Sequence, residues 1–440
     1  MEPAAHHPCR VTYAAASRGP DVPTAAREGG PMMTTTAGRD ATADFDPLDT
    51  TAPDVHAGLA RLRAEAPVSR CPNGAWFLAR FDDVLAAAKD VETFRASFRE
   101  AGVVVPEEEQ FVNEIPEPRH GHVRRIINSA IAQHRIGRVE PIARELCGRL
   151  LDDLLATGGG DMVARYSVPI PTTVIGHLLG APVEDHHLWA EWSDDVVQGT
   201  YPTQYRNERG SGLAGAHPEF TAYVDDMIRV RREATVPPDD FVTRLIETEV
   251  DGRRLTDVEA RTQLVFLFIS GNETTRHLIS NMTYVLATRP EVFAACKADG
   301  DLVQNLIEET LRLLPPIQFL MRTCTHATEV DGTAMQTDDK IAFGVASANR
   351  DETHFAEPQE FRLDRPDPRG HFGFGGGPHV CPGATLARLE ARVAVETLLA
   401  RVGSMRLPDD FAFEKVPVFW AYGPQTLPVT MTPATTEGES

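Results

Sequence analysis

A cysteine at the end of a glycine-rich loop is the feature of this sequence with the clearest chemical potential. Residues 371–383 read HFGFGGGPHVCPG, and the helix-forming run ATLARLE follows at once. The loop therefore delivers Cys381 to a helix N-terminus, where unpaired amides and the helix dipole favour the thiolate and lower its pKa. Glycines let backbone N–H groups approach the sulfur, as suits a thiolate ligand to iron.

The spacing of residues in this loop does not exclude two simpler interpretations. The loop could bind phosphate, or Cys381 could be an ordinary buried cysteine. A phosphate-binding glycine loop usually carries a lysine after its glycines, and none follows here.

A second candidate segment lies at the centre of a helix predicted over 255–287. It reads SGNETT from Ser270 to Thr275, and a glycine inside a helix costs about 1 kcal/mol relative to alanine. A threonine hydroxyl can bond to the carbonyl four residues back and open the helix locally, leaving space for dioxygen and water. The alternative is close packing of small residues between helices.

Two charged pairs have the spacing of one helix face. His120 and Arg124 are four residues apart and could both donate to a carboxylate, as could Arg322 from a predicted extended segment. Glu309 and Arg312 are three residues apart. Each pair alone is equally consistent with a solvated surface, where such an ion pair contributes about 0.2–0.5 kcal/mol.

Phe374, Gly377, Cys381 and Gly383 match the pattern FxxGxxxCxG, and His379 stands in its usual place within it. The sequence therefore resembles the cytochrome P450 superfamily, whose haem-binding signature this is. The resemblance implies that Cys381 is the axial thiolate ligand of haem b (iron protoporphyrin IX), with Phe374 and Gly383 in the same cofactor site. A thiolate ligand favours O–O cleavage.

The central segment then resembles the family motif AGx(D/E)TT. This implies that Glu273 and Thr274 assist proton delivery during dioxygen cleavage, with Gly271 beside the cofactor. Ser270 stands where Ala or Gly is usual, and Glu273 replaces the commoner Asp.

The charged pairs resemble two further family motifs. A set of four side chains is implied to hold the two haem propionates: His120, Arg124, Arg322 and His379. Three others are implied to form a structural network before the cysteine loop: Glu309, Arg312 and Arg365.

By this resemblance the protein is a haem-thiolate monooxygenase that hydroxylates a small, mainly apolar organic substrate. Electrons would come from NAD(P)H through a separate ferredoxin reductase and ferredoxin. Five residues are expected in the substrate pocket, although each could equally be ordinary core: Phe266, Ile317, Phe319, Phe419 and Trp420. Two alternatives are a peroxygenase driven by hydrogen peroxide and a non-catalytic recruitment module of the same family.

The resemblance implies a mainly α fold with small β-sheets: a triangular prism of about twelve helices around a long central helix I. Apolar periodicity predicts long helices over 119–134, 137–156, 170–181, 184–198, 217–234, 255–287, 289–297 and 301–314. Short strands are predicted at 75–79, 326–335, 340–345, 417–420 and 427–431, and a second helix, capped by Asp82, up to Lys89.

The resemblance covers about residues 46–432 and implies one catalytic domain there, while composition predicts a disordered leader (1–45), and a flexible tail (433–440) is expected. Met32 and Met33 are alternative translation starts to Met1, and Asp54 is expected to cap the first helix. We expect a monomer.

Charge and cysteine usage exclude several classes of function. The net charge of −21 disfavours nucleic-acid binding. The sequence contains no run of eighteen apolar residues, so no membrane span is predicted. Six scattered cysteines without a CxxC pair fit a reducing cytoplasm. A set of arginines is expected to form a local basic patch for an acidic ferredoxin, or only to balance nearby carboxylates: Arg119, Arg124, Arg125, Arg135, Arg138, Arg388 and Arg392.

Overall fold

A computed structural model describes residues 45–52, 55–100, 102–131, 136–199, 201, 204–208 and 210–434. The predicted leader up to residue 44, Asp54, Arg135 and the tail from 435 lie outside these residues. The described chain is mainly helical with small sheets, which confirms the predicted fold class.

Fourteen α-helices occur among the described residues, and the long ones agree with the predicted ranges to within a few residues. They are α1 (Val55–Glu65), α2 (Phe81–Lys89), α3 (Arg119–Ala130), α4 (Glu140–Ala156), α5 (Pro169–Leu179), α6 (His186–Gln198), α7 (Gly212–Ala216), α8 (Pro218–Glu233), α9 (Phe241–Glu247), α10 (Asp257–Thr288), α11 (Pro290–Ala298), α12 (Leu302–Leu313), α13 (Val345–Ala348) and α14 (Ala384–Arg401). Short 3₁₀ turns cover Glu107–Glu109, Val183–Asp185 and Gly377–His379, and a π-helical turn covers Val163–Ser167. Periodicity missed the short helices α7, α9 and α13, because so few turns carry little pattern.

Helix α10 is the central element. At 1.5 Å per residue its 32 residues extend about 48 Å. Thr256 and Glu259 form a reciprocal capping box that satisfies the first N–H groups of the helix. Most of its side chains are buried, because α5, α6, α8, α12 and α14 all contact it.

Twelve strands form four small sheets among the described residues. They are β1 (Val68–Arg70), β2 (Trp76–Leu78), β3 (Phe94–Ala96), β4 (Gly159–Asp161), β5 (Arg206–Asn207), β6 (Gly210–Ser211), β7 (Leu320–Cys324), β8 (Thr328–Val330), β9 (Thr333–Met335), β10 (Lys340–Phe343), β11 (Val402–Arg406) and β12 (Pro428–Pro433). The largest sheet has the order β1-β2-β10-β7-β3, with β10 parallel to β2 and antiparallel to β7. The others are β11-β12-β4, β5-β6 and β8-β9.

Two local predictions were wrong. Residues 417–420 contain a turn, closed by the Ala421 N–H on the Val418 carbonyl at 3.1 Å. In the described chain only the flanking residues Lys415 and Ala421 pair, each in an isolated bridge, so no strand forms here. Asp82 lies in the first turn of α2 and does not cap it. Instead, the carboxylate of Asp351 accepts from the Phe81 N–H at 2.8 Å, across 270 residues of chain.

A buried ion network ties α12 to the segment that leads into the cysteine loop. Both Glu309 oxygens accept from Arg312 at 2.8 Å and from the Nε of Arg365 at 2.9–3.0 Å. Arg312 also donates to the carbonyls of Asn349, Pro358 and Glu360. The structure thus joins the three predicted residues in one network that fixes irregular backbone.

We predict that Glu309→Gln lowers the free energy of unfolding by about 3–5 kcal/mol, because it leaves two buried arginines without their carboxylate. Urea unfolding followed by circular dichroism measures the change. Glu145→Gln is the control, because Glu145 forms an exposed pair with Arg149 that contributes less than about 0.5 kcal/mol. Equal losses in the two variants would contradict the prediction.

Candidate active site

A cavity of about 250 Å³ lies between α10, α3, β7 and the cysteine loop. Nine of the predicted catalytic and cofactor-binding residues line it: His120, Arg124, Gly271, Thr274, Arg322, Phe374, His379, Cys381 and Gly383. The structure therefore brings together residues that lie up to 263 positions apart in the chain.

The cysteine loop is held by backbone geometry. The Cys381 N–H donates to the Phe374 carbonyl at 2.9 Å, which closes the loop on itself. Gly377 has a φ of +62° and packs against α2 so closely that a Cβ there would lie 2.3 Å from the Ala88 carbonyl oxygen. Only glycine fits that position.

The environment of the Cys381 thiol differs from the prediction in one respect. Burial raises the thiol pKa, although the backbone amides of Gly383 and Ala384 and the charges of Arg124 and Arg388 lower it in part. The predicted amides are present, but desolvation of the sulfur outweighs them. The prediction of a lowered pKa was therefore wrong for the protein alone, and a bound cation is needed to hold the thiolate.

Four basic side chains converge on the cavity. Arg322 is only 6% exposed, its side chain donates to the Met321 carbonyl, and burial lowers its pKa to about 10. The rings of His120 and His379 lie 4.4 Å apart, and burial together with His120, Arg322 and Arg124 lowers the His379 pKa to about 3. The side chain of Arg124 reaches the Val380 carbonyl.

This cluster lacks negative charge on its cavity side. His120 pairs with Glu117 through Nδ1 at 2.8 Å, but its Nε2 and the Nδ1 of His379 are buried without a partner. Among the described residues, neither Arg124 nor Arg322 forms an ion pair with a carboxylate. Buried polar atoms without partners and buried arginines without carboxylates are costly, so the residues present fit an anionic cofactor such as haem with its two propionates.

The side chains of Thr274 and Glu273 lie in different surroundings. The Thr274 hydroxyl lines the cavity and donates to the Ser270 carbonyl at 2.8 Å, as expected, yet α10 stays continuous. Glu273 is not among the lining residues. It is buried beside Arg276 and accepts from His277 at 2.9 Å.

Glu273 is ionised at neutral pH. Burial alone would raise its pKa, but Arg276 and the His277 hydrogen bond lower it to about 2. Burial lowers the His277 pKa, so this histidine is neutral. Arg276 also forms an ion pair with Asp194 on α6 at 2.9 Å, so the network links α10 to a second helix.

The predicted pocket residues divide into two groups. Phe266 and Ile317 line the cavity, whereas Phe319, Phe419 and Trp420 are not among its lining residues. Phe319 lies in a different core, with its ring 5.9 Å from that of Phe419, which is 57% exposed. Residues two apart in an extended chain face the same side, but the chain bends at Gln318, so spacing alone could not separate Ile317 from Phe319.

The predicted arginine patch consists mostly of ion-paired residues. Arg119, Arg125, Arg138, Arg388 and Arg392 each contact a carboxylate within 4 Å. The alternative interpretation, that these arginines balance nearby carboxylates, accounts for most of the set.

Sequence reasoning missed a second carboxylate beneath the cysteine loop. Glu308 is fully buried and accepts from Arg388 at 2.7 Å and from the His371 Nε2 at 3.0 Å. The Nδ1 of His371 accepts from the Gly373 N–H at 3.0 Å, and the Asn349 side chain accepts from the Phe372 N–H at 2.6 Å. The available signal was two adjacent glutamates in a helix, which must face different partners.

Comparisons with known proteins agree with this arrangement. The family model described as Cytochrome P450 matches residues 206–402. The chain is 34% identical to a steroid C26-monooxygenase of Mycolicibacterium smegmatis, over 85% of this chain and 92% of that protein. It is 33% identical to a methyl-branched lipid omega-hydroxylase of Mycobacterium tuberculosis, over 88% and 93%.

Solved structures give the same result. Cytochrome P450 CYP109Q5 from Chondromyces apiculatus matches with a TM-score of 0.78 and 33% identity, over 90% of this chain and all of that one. A mutant of P450 EryK in complex with erythromycin B matches with a TM-score of 0.76 and 31% identity, over 88% and 97%.

The chain therefore belongs to the cytochrome P450 family, whose members carry haem. It is an enzyme, a P450 monooxygenase, which disfavours the non-catalytic alternative. None of the helices in the described part of the chain has the length and apolar character needed to cross a membrane.

The Glu308 network gives a pH-dependent prediction. Burial opposes ionisation, but His371 and Arg388 lower the Glu308 pKa from 4.5 to about 2. The carboxylate therefore stabilises the fold fully at pH values well above 4.5, and this contribution is lost as the pH falls toward 2.

We predict that Glu308→Gln reduces the free energy of unfolding at pH 7 by about 3 kcal/mol, and that the gap to the unaltered protein narrows by about 1 kcal/mol at pH 4. Urea titrations at both pH values test this. The exposed control Glu145→Gln is expected to show the same small effect at each pH. A gap for Glu308→Gln that widens on acidification would contradict the assignment.

Proposed function

We propose that this P450 hydroxylates a mainly apolar organic molecule of the size of a steroid or a branched lipid, using dioxygen. The observation that carries the proposal is one cavity in which Cys381 and Thr274 meet apolar side chains, Phe266 and Ile317 among them. The relatives named for steroid and lipid hydroxylation support this substrate class.

Cys381 is the residue that would bind the haem iron through its sulfur. Its sulfur lies at the cavity, and the amides of Gly383 and Ala384 would support its negative charge. The four basic side chains His120, Arg124, Arg322 and His379 would hold the propionates, because their polar atoms at the cavity lack carboxylate partners. When bound, haem supplies the reduction of dioxygen and the insertion of one oxygen atom into the substrate.

Thr274 is the proposed last donor in proton delivery to the cavity. Its hydroxyl lines the cavity and can exchange the Ser270 carbonyl for another acceptor by rotating about χ1. Glu273 is ionised and faces away, toward Arg276 and His277. Glu273 would therefore have to take up a proton and leave this ion network before it could pass the proton to Thr274.

The source of the electrons is also part of this proposal. We infer a single catalytic domain over 46–432 that receives electrons from a separate ferredoxin and its NAD(P)H-dependent reductase. Arg125 and Arg138 are exposed, in ion pairs with Asp251 and Asp239. Exposed pairs contribute little, so an acidic partner could replace these aspartates at small cost.

Cys381→Ser is predicted to abolish hydroxylation, because a hydroxyl ligand lacks strong thiolate donation. In the unaltered protein, reduction under carbon monoxide is expected to place the Soret band at the red-shifted position typical of thiolate ligation. The variant is expected to lose that position. Cys296→Ser, at a buried cysteine on α11 away from the cavity, serves as the control and keeps it. Full activity of Cys381→Ser would refute the axial role.

Thr274→Ala is predicted to lower the fraction of NAD(P)H-derived electrons that appear in product, because the hydroxyl that delivers protons is missing. Product formed per dioxygen consumed, measured with a surrogate ferredoxin, reports this coupling. Thr283→Ala is the matched control, because Thr283 lies on the same helix and donates in the same way, to the Ile279 carbonyl at 2.9 Å, but does not line the cavity. Equal coupling in the two variants would place proton delivery elsewhere.

A further inference from the structure

A second cavity, of about 810 Å³, lies on another part of the molecule. Its walls come from α1, the C-terminal end of α10, the end of α12, the loop around Gln359 and the segment 413–422. It shares no lining residue with the cavity at Cys381. Nothing in the proposed hydroxylation uses it.

Arg350 is the most deeply buried charge of this cavity, at 6% exposure. It donates to the Gln359 side chain at 2.8 Å and to the Leu313 carbonyl at 2.7 Å, while its Nε–H is buried without a partner. In the described part of the chain it forms no ion pair with a carboxylate. Burial, together with Arg312 and Arg63, lowers its pKa to about 10.

His56 adds a second unused donor. The Arg350 Nη2 lies 3.4 Å from the His56 Nε2, and an arginine can only donate, so Nε2 accepts and Nδ1 carries the proton. That Nδ1 is buried without a partner. Burial, Arg350 and Arg63 lower the His56 pKa to about 3, so the ring is neutral.

Lys415 is the third basic group. Its Nζ donates to the Thr50 hydroxyl and, at 3.2 Å, to the Val418 carbonyl, but the described residues contain no ion pair to it. Burial lowers its pKa to about 8, and Asp49 offsets this only in part. Two carboxylates do line the cavity, Glu291 and Glu414, but both are exposed to solvent.

Aromatic rings form one wall of the same cavity. The Phe413 ring contacts Tyr284 edge-on, with centroids 4.9 Å apart, and stacks on Tyr422 at 5.4 Å. Phe361 also lines it, beneath the Arg289 guanidinium at 5.4 Å. A flat apolar group finds favourable contacts on such a wall.

We propose that this cavity is a binding site for an organic carboxylate with a flat apolar body. Arg350, His56 and Lys415 present donors to an anion, the two unpartnered N–H groups receive acceptors, and the aromatic wall takes the apolar body. Natural ligand sites have this form, with apolar walls and a few convergent polar groups in roughly 300–1,000 Å³. Pro53 and Asp54 lie outside the described residues, and the proposal uses neither.

The test uses the haem-loaded full chain with 4-phenylimidazole present at saturation, so that the cavity at Cys381 is filled. Equilibrium dialysis then measures binding of 2-naphthoate and of its neutral analogue 2-naphthalenemethanol. We expect one equivalent of 2-naphthoate to bind without a change in the Soret band, and the neutral analogue to bind at least about tenfold more weakly, as for the loss of a charge-assisted hydrogen bond.

Lys415→Gln is expected to weaken 2-naphthoate binding by about tenfold, and Arg350→Gln by more. Lys340→Gln is the matched control, because Lys340 is likewise half-buried and donates to a threonine hydroxyl, that of Thr323 at 2.7 Å, yet lies outside this cavity. It is expected to bind like the unaltered protein.

Three outcomes would overturn the site: no binding once 4-phenylimidazole is present, equal affinity for the neutral analogue, or unchanged affinity in Lys415→Gln. Because Arg350→Gln removes structural hydrogen bonds and could unfold the chain, Lys415→Gln decides the test. Failure here leaves the carbon monoxide spectrum of the Cys381 site unaffected, so the two proposals are judged separately.

Discussion

The segment that carries Cys381 is irregular and partly buried, so its backbone needs hydrogen-bond partners that a helix or a strand would otherwise supply. Two adjacent glutamates of α12 meet that need. Glu309 accepts hydrogen bonds from Arg312 and Arg365, which also donate to carbonyls of the preceding loop. Glu308 accepts from His371 and Arg388 beneath the cysteine loop itself. Removing Glu309 leaves two buried arginines without a carboxylate. Removing Glu308 takes away the partner of His371 and of the partly buried Arg388, so the position of Cys381 depends on both glutamates.

Most buried arginines in the described part of the chain form ion pairs, and the two that do not lie at its cavities. Arg312, Arg365 and Arg276 each contact a buried carboxylate. Arg322 at the first cavity and Arg350 at the second have only neutral partners among the described residues. Unpaired buried charge is costly unless a ligand compensates it, which links the haem site and the proposed carboxylate site by one physical argument.

The helical framework and the cysteine site could largely be predicted from the sequence. The long amphipathic helices follow from apolar periodicity, which depends on local spacing alone. The resemblance of the cysteine loop to a family signature directed attention to His120, Arg124, Arg322 and His379, and the structure brings these residues into one cavity. The prediction of a strand at 417–420 was wrong, because β-like composition does not decide whether a partner strand lies alongside.

Local sequence accounts for the periodicity of the helices, for the glycine that permits the backbone conformation at Gly377, and for the cysteine at a helix N-terminus. The tertiary structure alone decided which groups lose water and which find partners. It raised the Cys381 pKa where local sequence implied the reverse, turned Glu273 away from the cavity, and placed Phe319 in a separate core. Desolvation and pairing are sums over neighbours distant in the chain, and no local pattern of residues contains them.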